Sequence, residues 1–301
     1  MNKGISMSAE LRCREMINHE EYPIDELENK KRRQVLEKVR RELKQDGCAV
    51  INNFFNNAGL DALLKEAKEQ SEYAYFSPTK KCNVYLGEGD PQMPEDYPQN
   101  IFMERTNGFV TADLFNEESA TRRLYFWGPL KSFLAECLEK TELFIYDDPI
   151  SNVIVNVCKP GHQFCWHFDT NEFTITMLLQ AAESGGEFEY IPNLRTPESE
   201  CTEGVIKVLQ GDRNRVKQLK LKAGDLQFFL GRFSLHRVTE NTGNIDRLLL
   251  IQSFAEKPGM IGSMYRVQDL YGKSQKSIKF TNMTKIVLIN CWIEFSQHGS
   301  N

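Results

Sequence analysis

The stretch Trp166-His167-Phe168-Asp169-Thr170 carries an imidazole and a carboxylate two positions apart. On an extended segment such residues project to the same side, so His167 and Asp169 can reach one cation. His236, within Ser234-Leu235-His236-Arg237-Val238, offers a second imidazole 67 residues after Asp169 (236 − 169), which leaves room for several antiparallel strands between them. Two imidazoles and a carboxylate on one face of a metal, with the other positions open, form the arrangement that non-haem Fe(II) chemistry requires. Each piece has a plainer reading. A lone His in a β core is more often a hydrogen-bonded core residue than a ligand, and His-x-Asp recurs by accident. The combination is more specific, because the chain has only five histidines (His19, His162, His167, His236, His298) and two of them fall on expected strands of one β-rich region.

That region must hold the ligands in place. From Ile150 to Ala255 the chain reads as short strands separated by Gly, Pro and Asn turns. Ranges 151–158, 164–168, 173–179 and 188–190 are followed by 216–221, 226–230, 233–238 and 247–254. Phe173, Ile175, Met177 and Leu179 alternate with Thr174 and Thr176, and Phe188 and Tyr190 with Glu187 and Glu189, as in strands with one buried face. About eight such strands predict a barrel or sandwich. Thr196-Pro197-Glu198 has the cap chemistry of a short helix, so 193–212 reads as an insertion.

Helices precede the strands, giving an α+β arrangement. Over 23–45, Val35, Leu36, Val39 and Leu43 share one side of a helix that Gly47 can stop. Its basic residues are interleaved with Glu26, Glu28, Glu37 and Glu42, the pattern of a solvated face rather than a nucleic-acid patch. Asn57 can cap a second helix, with Leu60, Leu63, Leu64 and Ala67 on one face, and Pro129 can start a third. Range 71–110 is irregular and rich in aromatic residues, so its loops are candidates for an active site, with Glu104 and Arg105 as candidate substrate contacts. The expected organisation is a flexible arm at 1–22, helical support and loops at 23–149, a catalytic core at 150–256 and a C-terminal extension at 257–301. The apolar tail segments Ile286-Val287-Leu288-Ile289 and Cys291-Trp292-Ile293 are too short to span a bilayer.

The chain has 301 residues, 41% hydrophobic, enough to bury a substantial core. A formal charge of −5 gives no general attraction to nucleic acid or anionic membranes. The eight cysteines are scattered, without C-x-x-C or other structural-zinc spacing, and the first 20 residues lack the apolar centre of a signal peptide. A cytoplasmic location is the expectation.

In order along the chain stand Trp166-His167-Phe168-Asp169, the run Thr174-Ile175-Thr176-Met177-Leu178-Leu179 leading to Gly185-Gly186-Glu187-Phe188, and the turn Lys222-Ala223-Gly224-Asp225 into Leu226-Gln227-Phe228-Phe229. Leu235-His236-Arg237-Val238 and Arg247 complete the set. This ordered set, over roughly 150–254, resembles the Fe(II)/2-oxoglutarate-dependent dioxygenases, whose core is a double-stranded β-helix or jelly roll. The resemblance implies that His167, Asp169 and His236 bind Fe(II), and that Arg247 grips the distal carboxylate of 2-oxoglutarate through its guanidinium fork. Arg237 is a weaker rival. Many members place a Ser two residues after this Arg; here Leu249 stands there, and Ser253 is the remaining candidate for the second contact.

The implied reaction consumes 2-oxoglutarate and O2, removes hydrogen from an unactivated C–H bond and leaves a hydroxyl, with release of succinate and CO2. Related halogenases replace the carboxylate ligand by a small residue to admit chloride, so Asp169 argues for hydroxylation. The segments around both histidines are most similar to the branch of free amino-acid hydroxylases and radical halogenases. This implies a small zwitterionic substrate, with His162, Thr170, Asn171, Glu172 and Glu104 as candidate contacts. Three alternatives stand beside it: hydroxylation of a protein or peptide side chain, a cupin-like metal-binding protein, and a catalytically silent jelly-roll interaction module.

Overall fold

The computed structural model describes residues 13–273. Helix α1 (Lys30–Asp46) buries Leu36, Val39 and Leu43. It starts later than the expected residue 23, because 23–29 forms turns and Asn29 supplies the cap, its side chain accepting from Lys31 N–H. Gly47, at φ 60°, closes the helix with its N–H on the Leu43 carbonyl. Helix α2 (Asn57–Ser71) is capped by Asn56, one residue before the expected position, and α3 (Ala120–Tyr125) and α4 (Gly128–Cys137) follow.

The strands are β1 (Cys48–Ile51), β2 (Tyr75–Phe76), β3 (Lys81–Cys82), β4 (Met103–Glu104), β5 (Gly108–Val110), β6 (Phe144–Ile145), β7 (Val153–Cys158), β8 (Phe164–His167), β9 (Thr174–Gln180), β10 (Phe188–Ile191), β11 (Lys217–Leu219), β12 (Leu226–Phe229), β13 (Leu235–Val238), β14 (Arg247–Gln252) and β15 (Phe254–Ala255). Two antiparallel sheets carry the fold, the larger ordered β1-β12-β9-β14-β7-β5-β2 and the smaller β11-β10-β13-β8. Their facing surfaces enclose the site. On the outer surface of the large sheet, Val155, Val157, Ile175, Met177, Phe228, Leu248 and Leu250 pack against α1–α4. Outside the small sheet, Trp166, Phe168, Ile191 and Leu235 pack against α5 (Thr202–Leu209). The central strands β7, β9, β12 and β14 are therefore covered on both faces, which explains their largely apolar make-up.

Several expectations change. The segment before residue 150 supplies β1, β2 and β5 to the large sheet, so it builds the core as well as supporting it. Residues 13–22, expected within a loose arm, are packed: Cys13, Met16 and Ile17 are buried, and Ile17 bridges Phe55. Within 193–212 the helix starts at Thr202; Thr196 and Ser199 instead close a turn. Helix α6 (Met264–Tyr271), capped by Ser263, lies against β5 and β2. No helix of the described residues is long and apolar enough to cross a membrane. The apolar tail at 286–293 lies outside the described residues.

Candidate active site

Strand β8 ends at His167, and the alternation continues beyond it. Trp166 and Phe168 enter the outer apolar cluster while His167 and Asp169 face inward. The pairing of β8 with β13 sets His236 opposite His167 and then slips, Val238 lying opposite Phe164. This bulge turns Phe164 inward as well, although it is three residues from His167. Phe164 stacks on the His167 ring at 3.8 Å between centroids, and Phe229 meets the His236 ring edge-on at 4.7 Å. Packing thus fixes both imidazoles.

Asp169 Oδ1 lies 3.9 Å from His167 Nε2 and 3.6 Å from His236 Nε2. Ligands about 2.1 Å from a shared ion and at right angles stand about 3 Å apart, so small adjustments bring these three onto one cation. His167 Nδ1–H donates to the Cys165 carbonyl (2.8 Å) and His236 Nδ1–H to the Ser234 carbonyl (2.9 Å). Those bonds place the proton on Nδ1 and leave each Nε2 lone pair for a metal. Burial foremost, then His236, pushes the His167 pKa down to about 3, which keeps that ring neutral. Burial opposes ionisation of Asp169, but the histidines and Thr174 outweigh it and hold the carboxyl below its usual range. Thr174 donates to Asp169 Oδ2 at 2.7 Å, leaving Oδ1 toward the histidines. Two imidazoles with their Nε2 atoms turned to one side and an ionised carboxylate between them suit a divalent cation with open positions.

The cavity before these ligands measures about 130 Å³ and is walled by the inner faces of both sheets and by Arg266, Leu270 and Tyr271 of α6. Arg247 shares the inward face of β14 with Leu249 and Ile251, both of which border the cavity. It is 3% exposed, its Nη1 has no hydrogen-bond partner, and burial pulls its pKa below the usual value. A buried guanidinium with an unpartnered nitrogen fits an incoming carboxylate. Arg237 points to the outer face, where it pairs with Glu189 at 2.7 Å and covers Trp166. Ser253 borders the cavity, but six residues beyond Arg247 on an extended strand is about 20 Å. Ser253 and Arg247 therefore cannot hold the same carboxylate.

Of the candidate substrate contacts, Thr170 and Asn171 border the cavity. His162, Glu104 and Glu172 do not. His162 packs edge-on against Phe76, Glu104 is exposed and accepts from Gln163, and Glu172 pairs with Lys140 at 3.2 Å. Arg105 is buried behind Phe164, its three guanidinium nitrogens lacking hydrogen bonds and Asp269 lying 3.7 Å away. Sequence reasoning missed Asn156, Thr176, Gln227 and Gly231. The first three are polar residues on strand positions that face the cavity. At Gly231 a Cβ would lie 1.9 Å from Asp169 Oδ2, so only glycine leaves room for the carboxylate.

Comparison with known proteins agrees with this geometry. The non-heme alpha-ketoglutarate-dependent epimerase SnoN from nogalamycin biosynthesis superposes with a TM-score of 0.51 at 13% identity, over 74% of this chain and 83% of that one. A 2OG-Fe(II) oxygenase family oxidoreductase from Burkholderia pseudomallei gives 0.50 at 13%, over 75% and 92%. AviO1 from Streptomyces viridochromogenes gives 0.50 at 16%, over 77% and 97%. These likenesses identify the fold as the double-stranded β-helix of the 2-oxoglutarate oxygenases. Among curated proteins none matches the sequence. The family model described as Halogenase D matches residues 102–265, which is 164 of the 301 residues (265 − 102 + 1) and spans His167, Asp169, His236 and Arg247. By that match this chain belongs to the halogenase D family, within the Fe(II)/2-oxoglutarate oxygenase superfamily.

Proposed function

We propose that this protein is an Fe(II)- and 2-oxoglutarate-dependent hydroxylase of a small molecule. The observation that carries the reading is Asp169: its carboxylate fills the third ligand position, held by Thr174 and seated against Gly231, where related halogenases keep a small residue. When bound, Fe(II) with 2-oxoglutarate and O2 supplies the oxidising power that replaces a C–H bond by C–OH, with succinate and CO2 released. The chain's own residues do the rest. His167, Asp169 and His236 would hold the metal, and Arg247 would hold the distal carboxylate of 2-oxoglutarate. Phe164, Phe229 and Ile251 would give the substrate apolar walls beside these residues.

A small substrate is supported by the size of the cavity, about 130 Å³ against roughly 300–1,000 Å³ for drug-sized pockets, with Arg266, Leu270 and Tyr271 of α6 along one side. A free amino acid, the class implied by resemblance to the amino-acid branch, needs partners for both its carboxylate and its ammonium group. The test is anaerobic addition of Fe(II) and 2-oxoglutarate, watched for the weak visible charge-transfer band, then O2 and a substrate panel with and without chloride. Succinate and a product gaining one oxygen are expected, independent of chloride. Folded protein without the band removes the reading, and a chlorinated product replaces hydroxylation by halogenation.

A further inference from the structure

We propose that Cys82 and Cys165 are an oxidisable pair, and that their disulfide clamps the strand carrying His167 to the loop beside the cavity. The two sulfurs lie 2.7 Å apart, so their side chains already face one another as a bond between them requires. The backbone holds this approach from both sides. Cys82 ends β3, which pairs with β4, and Cys165 lies within β8, the edge strand of the small sheet. On one side of the thiols the Gln163 carbonyl accepts from the N–H groups of Thr106 and Asn107, just past β4, at 3.0 and 3.1 Å. On the other side Phe168 N–H donates to the Val84 carbonyl at 2.7 Å. Neither cysteine belongs to the metal or cosubstrate positions, so the inference is independent of the hydroxylase reading.

The oxidant is a hydroperoxide, of which hydrogen peroxide is the simplest. One sulfur takes an oxygen from the peroxide as the O–O bond breaks, and the first water leaves. The second sulfur then displaces that oxygen: the S–S bond forms, the S–O bond breaks, and the oxygen departs with the second thiol's proton as another water. Two thiols thus lose two electrons and two protons, and one peroxide becomes two waters. Cys82 is 4% exposed and Cys165 7%, which makes the first step slow and keeps larger reagents out. The second step joins sulfurs that are already in contact, so it follows at once. Arg105, buried with its three guanidinium nitrogens lacking hydrogen bonds, acts on Cys165 and steadies negative charge developing at its sulfur. The bond would close 83 residues of chain (165 − 82) and join two parts of the site. Leu86, four residues after Cys82, borders the cavity, and the Cys165 carbonyl accepts the Nδ1–H that orients His167.

The experiment uses the full chain, metal-free so that no iron-driven oxidation intervenes. Reduced protein is incubated with hydrogen peroxide, the excess is destroyed with catalase, and remaining thiols are blocked with N-ethylmaleimide in denaturant. Disulfides are then mapped by mass spectrometry of unreduced peptides, and thermal unfolding is followed on a second portion. Cys82–Cys165 should be the main disulfide, reversible by dithiothreitol. The oxidised protein should unfold at least about 5 °C above the reduced one, because the bond restricts the unfolded chain. Cys82→Ala and Cys165→Ala should each lose the crosslink and the shift, and either one that folds is sufficient; if neither folds, the parent's peptide map decides. Peroxide that oxidises the half-buried Cys201 while Cys82 and Cys165 remain thiols overturns the inference, as does a main product in which either is joined to another cysteine. A Cys82–Cys165 bond that leaves the unfolding midpoint unchanged or lowers it overturns the clamp.

Discussion

Replacing Thr174 by valine removes one hydroxyl and nearly preserves side-chain shape, so it isolates the bond that orients Asp169. In the structure Thr174 Oγ1 lies 2.7 Å from Asp169 Oδ2, and this bond helps keep the carboxyl ionised. A hydrogen bond to a charged group contributes about 1.5 to 3 kcal/mol. Without it Oδ2 is free to turn toward the cavity and Oδ1 loses its aim at the two Nε2 atoms. Loss of such an orienting partner corresponds to roughly ten- to hundredfold weaker metal binding. Asp169 retains 22% side-chain exposure, so water can replace the lost donor in the metal-free protein, and fold stability should change less than metal affinity. Anaerobic Fe(II) or Co(II) titration against a competing chelator measures the first quantity, and denaturant unfolding of metal-free protein the second. Thr176→Val is the control, because Thr176 faces the same cavity but donates to Gln227. If folded Thr174→Val binds metal within about twofold of the parent, Thr174 does not orient a ligand and the argument fails.

Arg247→Met should raise the 2-oxoglutarate concentration needed for half-maximal turnover by roughly ten- to hundredfold, the loss of a charge-assisted pair, while leaving metal affinity near the parent value; an unchanged requirement places the distal carboxylate elsewhere. Metal-free protein should lose stability in acid through His167, whose pKa falls from 6.5 to about 3 on folding. Below pH 6.5 the unfolded chain takes up a proton that the folded ring refuses until about 3, so the loss accrues across that window, about 2 kcal/mol between pH 7 and pH 5, and His167→Asn should flatten the slope by that amount. Gly59→Ala tests the packed N-terminal segment. Helix interiors usually gain about 1 kcal/mol from this change, but here the new Cβ would lie 2.1 Å from the Met16 carbonyl oxygen, so a fall in the unfolding midpoint is expected and a rise refutes the packing.

The convergence of His167, Asp169 and His236 was legible because strand alternation and an intervening run of readable strands act locally on each ligand. The facing of the other polar residues was not. Thr174 and Thr176 alternate with Ile175 and Met177, a pattern that reads as polar residues toward solvent; in the structure the apolar face meets α1–α4 and the threonines face the cavity. A strand pattern distinguishes two faces but does not say which of two buried environments each one meets. The slip between β8 and β13 that turns Phe164 toward His167 leaves no sequence signature, and neither does the recruitment of β2 and β5 from irregular surroundings, whereas Cys48–Ile51 reads as a strand from its apolar run. Those pairings are fixed by distant partners. Arg105 illustrates the same limit: the sequence marks it as a charged residue in a loop, whereas only the fold buries it with three unpartnered nitrogens.

Family membership and ligand identity bear on different parts of the chemistry. The halogenase D match spans the two histidines and Arg247 with the strands β8, β13 and β14 that carry them. The outcome at the substrate carbon depends on what occupies the third ligand position. There Asp169 is supported from three sides: Thr174 donates to Oδ2, the Gly231 carbonyl accepts from the Asp169 N–H at 3.0 Å, and the missing side chain of Gly231 provides the space. A carboxylate left over from an ancestral site would have no need of a glycine that excludes every other residue beside it. On the proposed reading, Thr174 and Gly231 form one device with Asp169 that turns Oδ1 toward the two Nε2 atoms.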